Sequence, residues 1–421
     1  MSARRAALLV ALLLAVALAA VIAARTPWTL LPVPRGGHPA LDPTAGLSPA
    51  QLQRAKAFAA AVRPASLIAL GLGLAVAAVL GLSPLGARLV QAVARPLGGS
   101  WVWQVLLGVV VLLLVGRLVT LPLSAYGEVV EHRFGLSTSS WALWLRDAAV
   151  SFGISAGLTA LGLLALVGLA RRVPGWWWPW VGAGAAALVV LGSFLYPVLI
   201  EPAFNSFQSL PAGALRSDLL ALADRNGTPV RDVLVADASR RTTALNAYVS
   251  GFGSTRRIVV YDTVLRHLPD RQIESIVAHE LGHVSANDVL TGTLIGALGA
   301  AAGAASLGWL LTAPGLLRRA GADGPADPRV VALLLFLVAA GTFVSTPLQS
   351  LVSRQIEARA DLHALDLTRD PQAFIDMQRG LAVSGLAEPD PPAVLHWFFG
   401  SHPTTAQRVA MAKDWERLPA R

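Results

Sequence analysis

The chain has 421 residues, of which 54% are hydrophobic and 14% charged, a composition that excludes an ordinary soluble enzyme and points to a membrane protein. It contains no cysteine, which rules out disulfides and thiolate metal ligands. The net charge of +9 is spread over loops without a nucleic-acid motif, so arginines beside an anionic lipid surface account for it better than a nucleic-acid partner does.

Five apolar segments come first, at residues 6–24, 66–82, 101–123, 148–170 and 176–199, each long enough or nearly so to cross a bilayer. Arg4-Arg5 precedes the first, the pattern of an N-inside anchor or a cleaved signal peptide. Residues 25–64 are Pro-rich and read as a loop holding a short amphipathic helix over 49–62. Trp101, Trp103, Trp176, Trp177, Trp178 and Trp180 stand at segment starts, as interfacial aromatics do. Abundant Gly and Ala allow close helix packing. Arg117 is the only charge well inside a segment.

Residues 201–288 are not membrane-like. A helix is predicted over 213–225, then the turn Asn226-Gly227 and β-type runs at 233–235, 247–249 and 258–261. A helix from about residue 269 leads into a sixth apolar segment at 289–312, and a seventh follows at 330–348. The last block, 353–421, continues the seventh segment as a helix and ends in a charged tail. The fold class is therefore mainly α, a polytopic membrane protein with about seven transmembrane helices and a small β-sheet. It divides into an N-terminal membrane region, 1–200, and a second domain, 201–421, that includes the last two spans.

The helix before the sixth span carries His279-Glu280-Leu281-Gly282-His283. At about 100° per residue, His279 and His283 lie roughly 40° apart and one turn along, so both imidazoles can reach one Zn²⁺. Glu280 projects about 100° from His279, which suits a general base rather than a ligand. A catalytic zinc site needs a third protein ligand. His38 and His132 are assigned to N-terminal loops, and His267 is too close in sequence to the motif. Glu357 is the strongest candidate, with Asp361 one turn later on the same face to accept a hydrogen bond from a ligand histidine. His363, six positions after Glu357, points about 240° away. The chemistry is peptide hydrolysis by a zinc-activated water. The competing readings are an ion-transporting bundle and an inactive, zinc-stabilised scaffold; the first lacks intramembrane carboxylates, and the second has no use for Glu280.

An ordered set of stretches resembles the type 1 CAAX prenyl proteases, membrane-embedded gluzincin peptidases related to the bacterial heat-shock membrane proteases. They are residues 128–136, Tyr196-Pro197, Glu201 to Asn205, Asn246 to Phe252, the zinc helix, Glu357 to Asp361, and Ser401-His402-Pro403 with Arg408. The resemblance runs from about Leu121 onward; the first 120 residues match only in hydropathy. It implies five spans in region 1–200 and a zinc peptidase domain over 201–421. It also implies that Asn246 holds an extended substrate backbone as an added strand, that His402 donates to the oxyanion, and that Arg408 supports the site electrostatically. The substrates it implies are apolar or lipid-linked peptides or proteins, the alternative being broad quality control of membrane proteins. The resemblance places the catalytic region on the cytoplasmic side of the cell membrane, opposite to what Arg4-Arg5 suggests. Because zinc helix and Glu357 both adjoin spans, polar chemistry and lipid-like walls are expected to share one enclosed volume.

Overall fold

The structure is a computed structural model describing residues 1–30 and 40–418; His38 lies outside the described residues. Among these, seven helices are long and apolar enough to cross a membrane: Ala3–Arg25, Pro49–Gly81, Trp101–Phe134, Trp141–Arg172, Trp177–Tyr196, Asp288–Leu310 and Pro328–Thr368. The second, third, fourth and seventh have 33, 34, 32 and 41 residues. At 1.5 Å per residue they are about 48–62 Å long, against a hydrocarbon core of about 30 Å. They therefore project beyond the lipid, and these projections form part of the catalytic region.

The second span corrects the reading of residues 25–64. Residues 49–62 are not a separate short helix but the first half of one continuous helix. Ser48 caps it: its Oγ accepts from the Gln51 amide at 3.3 Å, while Gln51 Oε1 accepts from the Ser48 amide at 2.9 Å. Pro64 lies inside this helix. A proline reads in sequence as a helix boundary, but in a bundle neighbouring helices tolerate the lost backbone hydrogen bond. His132 is also helical, near the end of the third span, with Nε2 3.1 Å from Glu128 Oε1. The presumed charged tail is folded as well, into helices Pro371–Ser384, Ala393–Phe399 and Thr405–Glu416.

Four strands form one mixed sheet: β1 (Phe207–Ser209), β2 (Asp232–Ala236), β3 (Ala247–Ser250) and β4 (Arg257–Tyr261), in the order β1-β2-β4-β3. β2 and β4 are parallel, with Asp232 opposite Arg257; β1 and β3 pair antiparallel at the two edges. β1, only three residues long, is too short to carry a sequence signal. β3 is thus an edge strand, and it packs against the helix Asp270–Ser285.

Two apolar cores hold the chain together. One, in the membrane region, includes Val90, Val105, Val109, Val167 and Trp177 with Val331, Leu333 and Leu334 from the start of the seventh span. The other joins Val233, Ile258 and Val260 of the sheet to Ile273, Val277 and Leu281, and to Leu362, Leu365, Phe374 and Val409. The seventh span therefore enters both cores, one at each end. Ala45 and Leu47, far earlier in sequence, also pack into the second core.

Candidate active site

The helix Asp270–Ser285 buries Ile273, Val277 and Leu281, spaced four apart, almost completely. Each such burial contributes roughly 1.5–3 kcal/mol, enough together to fix the helix in rotation and leave His279 and His283 on another face. Their Nε2 atoms face each other at 3.2 Å. Glu357 enters from the seventh span, with Oε2 3.2 Å from His279 Nε2 and Oε1 3.6 Å from His283 Nε2. Close approach of the two helices needs Gly282: a Cβ added there would stand 3.0 Å from His363 Cβ and 3.2 Å from Ala360 Cα.

The donors fit zinc. Ligand atoms about 2.0–2.1 Å from a tetrahedral ion are about 3.3 Å apart, close to the spacings observed. Glu357 Oε2 is buried and has no hydrogen-bond partner, although two imidazole nitrogens lie near it. A buried carboxylate oxygen left in this way is costly unless a cation is shared with its neighbours. One ligand atom from each of His279, His283 and Glu357 can be chosen so that all lie within 4.8 Å of one another, the only such group of three His or carboxylate side chains among the described residues.

Each histidine is oriented through its other ring nitrogen. His279 Nδ1 lies 2.9 Å from Asp361 Oδ1, and Asp361 is completely buried. Arg408 donates to both oxygens of Asp361, from Nε at 2.7 Å and from Nη2. Burial works against a charged His279 ring, but the neighbouring Asp361 and Glu357 carboxylates outweigh it and raise the imidazole to about 9. His283 Nδ1 lies 2.9 Å from Asp288 Oδ2, and Arg359 Nη2 bonds the other oxygen of Asp288.

Asp288 and Arg359 are absent from the sequence reading. In a continuous helix Asp288 would point about 140° away from His283. The helix breaks instead at Asn287, whose φ is 56°, and the turn brings Asp288 back to the ring. The available signal is Asn287 itself, since asparagine enters the left-handed region more readily than other side chains with a Cβ.

The remaining candidates fall on two sides of this cluster. Glu280 makes no hydrogen bond among the described residues, and burial pushes its carboxyl above the usual range against the pull of both imidazoles. His402 occupies the loop before Thr405–Glu416, with Nε2 3.2 Å from Glu357 Oε2 and Nδ1 2.9 Å from Ser401 Oγ. Burial lowers its pKa, which favours the neutral ring. The seventh span holds that loop: Arg354 Nη1 donates to the carbonyls of His396 at 3.1 Å and Gly400 at 2.6 Å. Asn246 is exposed and immediately precedes β3; its carbonyl accepts from the Tyr261 amide at 3.0 Å. His363 Nε2 is 2.6 Å from Asn226 Oδ1, and His267 Nδ1 is 2.7 Å from the Thr263 carbonyl, so neither joins the cluster.

A cavity of about 690 Å³ lies among the second, third, fourth and seventh spans, but no residue of the zinc cluster lines it.

Comparison with known proteins adds five findings. Residues 209–416 match peptidase family M48, and residues 44–206 match the CAAX prenyl protease N-terminal, five membrane helices. The chain is 35% identical over 313 residues to the uncharacterized metalloprotease YhfN of Bacillus subtilis, covering 74% of each. It is 31% identical over 178 residues to CAAX prenyl protease 1 of Saccharomyces cerevisiae, covering 42% of this chain and 39% of that one. The crystal structure of S. mikatae Ste24p superposes with a TM-score of 0.71 over 96% of this chain and 98% of that one, at 22% identity, a likeness of fold.

Proposed function

The chain belongs to peptidase family M48 as a multi-pass membrane zinc metallopeptidase, and on that premise we propose that it is an endopeptidase for apolar or lipid-linked peptides. The observation that carries the proposal is the His279–His283–Glu357 cluster on the helix beside an open sheet edge, completed from a membrane span. Those three residues hold the zinc, which when bound supplies Lewis-acid activation of water and of the scissile carbonyl.

The chain's own groups do the rest. Glu280 takes a proton from the attacking water and delivers it to the leaving amine. Its carboxylate has no protein partner among the described residues, and burial raises its pKa, which makes it a stronger proton acceptor. His402 donates from Nε2 to the developing oxyanion, in the tautomer whose Nδ1, 2.9 Å from Ser401 Oγ, accepts from that hydroxyl. Asp361 and Asp288 hold the ligand histidines in orientation, and Arg408 and Arg359 hold those carboxylates. The substrate lies as an added strand along β3, with Asn246 at its entry, so main-chain hydrogen bonds give most of the affinity. The catalytic region faces the cytoplasm, in the orientation that the family resemblance implies. The relatives named CAAX prenyl proteases support lipid-linked protein C-termini as one such substrate class.

The test compares cleavage of matched peptides with and without an appended apolar chain, in zinc-loaded protein and in Asn246→Ala. The apolar chain should raise kcat/KM, and Asn246→Ala should lower it with zinc content unchanged. Equal cleavage of polar and apolar peptides, together with parental behaviour of Asn246→Ala, would sink the proposal in favour of an open cleft facing solvent.

A further inference from the structure

Arg117 has no part in the zinc chemistry or in strand docking. It stands 16 residues after Trp101 in the third span, about 24 Å along the helix from that interfacial tryptophan. A guanidinium carries five N–H donors, and its charge is costly among apolar side chains unless something answers it. Its described partner is Ser124 Oγ at 3.3 Å, and it forms no ion pair among the described residues.

What it does face is the 690 Å³ cavity among the spans, a volume that suits a small ligand. The cavity is graded. On the side of Arg117 nearer the loop that joins the third and fourth spans, the wall carries Thr120, Asp147, Ser151 and Ser155 beside Trp144 and Phe152. On the other side it is apolar, with Val76, Leu80, Leu112 and Leu335. Asp147 does not answer Arg117, because it is already bound by Arg241 Nε at 2.6 Å and Arg146 Nη1 at 2.8 Å. Asp147 is thus already neutralised by arginines outside the cavity lining, which leaves Arg117 as the charge that the cavity presents without an ionic partner among the described residues. That loop also docks on the catalytic region, the Thr243 amide donating to the Leu136 carbonyl at 3.0 Å, so the polar half is the half nearer the zinc site.

We propose that this cavity binds an amphiphile whose anionic head group pairs with Arg117 and whose apolar chain fills the half lined by Leu80, Leu112 and Leu335. The head group is that of a free anionic lipid, such as a long-chain carboxylate. The site is distinct from the zinc cluster, and its occupation does not depend on the peptidase reading.

The experiment titrates zinc-loaded protein in neutral detergent with a fluorescent long-chain fatty acid and with its methyl ester. In a second arm it uses an acylated peptide with a free or an amidated C-terminus. The charged form should bind at least about tenfold more tightly than its neutral counterpart, the scale of a charge-assisted hydrogen bond. Preference in the fatty-acid arm supports the proposal, and preference in the peptide arm alone overturns it in favour of a substrate subsite. Arg117→Met should abolish the preference and Arg117→Lys retain most of it, both with parental zinc content. Gly116→Leu should weaken charged and neutral forms alike by filling the cavity, since a Cβ added there meets no atom within 4 Å. Equal binding of charged and neutral probes to the unmodified protein in both arms overturns the proposal however the variants fold. A preference that survives intact in Arg117→Met overturns it too.

Discussion

Replacing Asp361 by Asn tests the ion pair behind His279 with two separable consequences. Asp361 is completely buried and binds His279 Nδ1 at 2.9 Å and Arg408 Nε at 2.7 Å. The amide keeps the shape and one acceptor oxygen, so the His279 ring stays in place. It removes the charge that answers Arg408, whose side chain is only 12% exposed. Stranding a buried charge in this way costs about 3–5 kcal/mol of stability. The loss of a carboxylate behind a ligand histidine lowers metal affinity about 10–100-fold. Adding Arg408→Met removes both charges at similar volume, a change that is often close to neutral for a buried pair. Stability should therefore recover in the double variant, while zinc affinity should stay low. Chelator competition reads the affinity, and thermal unfolding of the zinc-free protein in detergent reads the stability. A double variant no more stable than Asp361→Asn would show that the two charges are not a coupled pair. Parental zinc affinity in Asp361→Asn would show that the carboxylate does not tune the ligand.

Glu280→Gln should keep about one zinc per chain but lose turnover by at least about a hundredfold, the scale of a lost general base; near-parental peptidase rates would remove Glu280 from that role. Asp288→Ala should weaken zinc binding about 10–100-fold although Asp288 is not itself a ligand, and unchanged affinity in chelator competition would mean that His283 needs no such support. Glu201 gives a pH prediction. Burial raises its pKa, with Arg257 and Tyr248 opposing. A carboxyl raised on folding contributes stability that is complete below the ordinary carboxylate range and is lost as pH rises through the folded value. Glu201→Gln should flatten that part of the profile, measured as thermal unfolding of zinc-loaded protein; identical slopes in parent and variant would refute the assignment.

Local periodicity made a large part of this protein legible. Runs of apolar residues long enough for a bilayer can be read one at a time, because each span satisfies its backbone within itself. The spacing of His279 and His283, and of Glu357 and Asp361, is likewise a property of single helices. Pro64 was misleading for the converse reason: whether a proline ends a helix depends on neighbours that may stand hundreds of residues away. Tertiary structure alone decided that the zinc helix and the far end of the seventh span pack closely, where Gly282 leaves room, and so bring Glu357 to the two histidines. It also decided that Asp288 turns back to His283 through a left-handed Asn287, and that Arg408 answers Asp361. Each of these joins groups on different helices or across a break in one. No periodicity encodes such contacts, because their geometry is set by how the bundle and the sheet pack on the two ends of the seventh span.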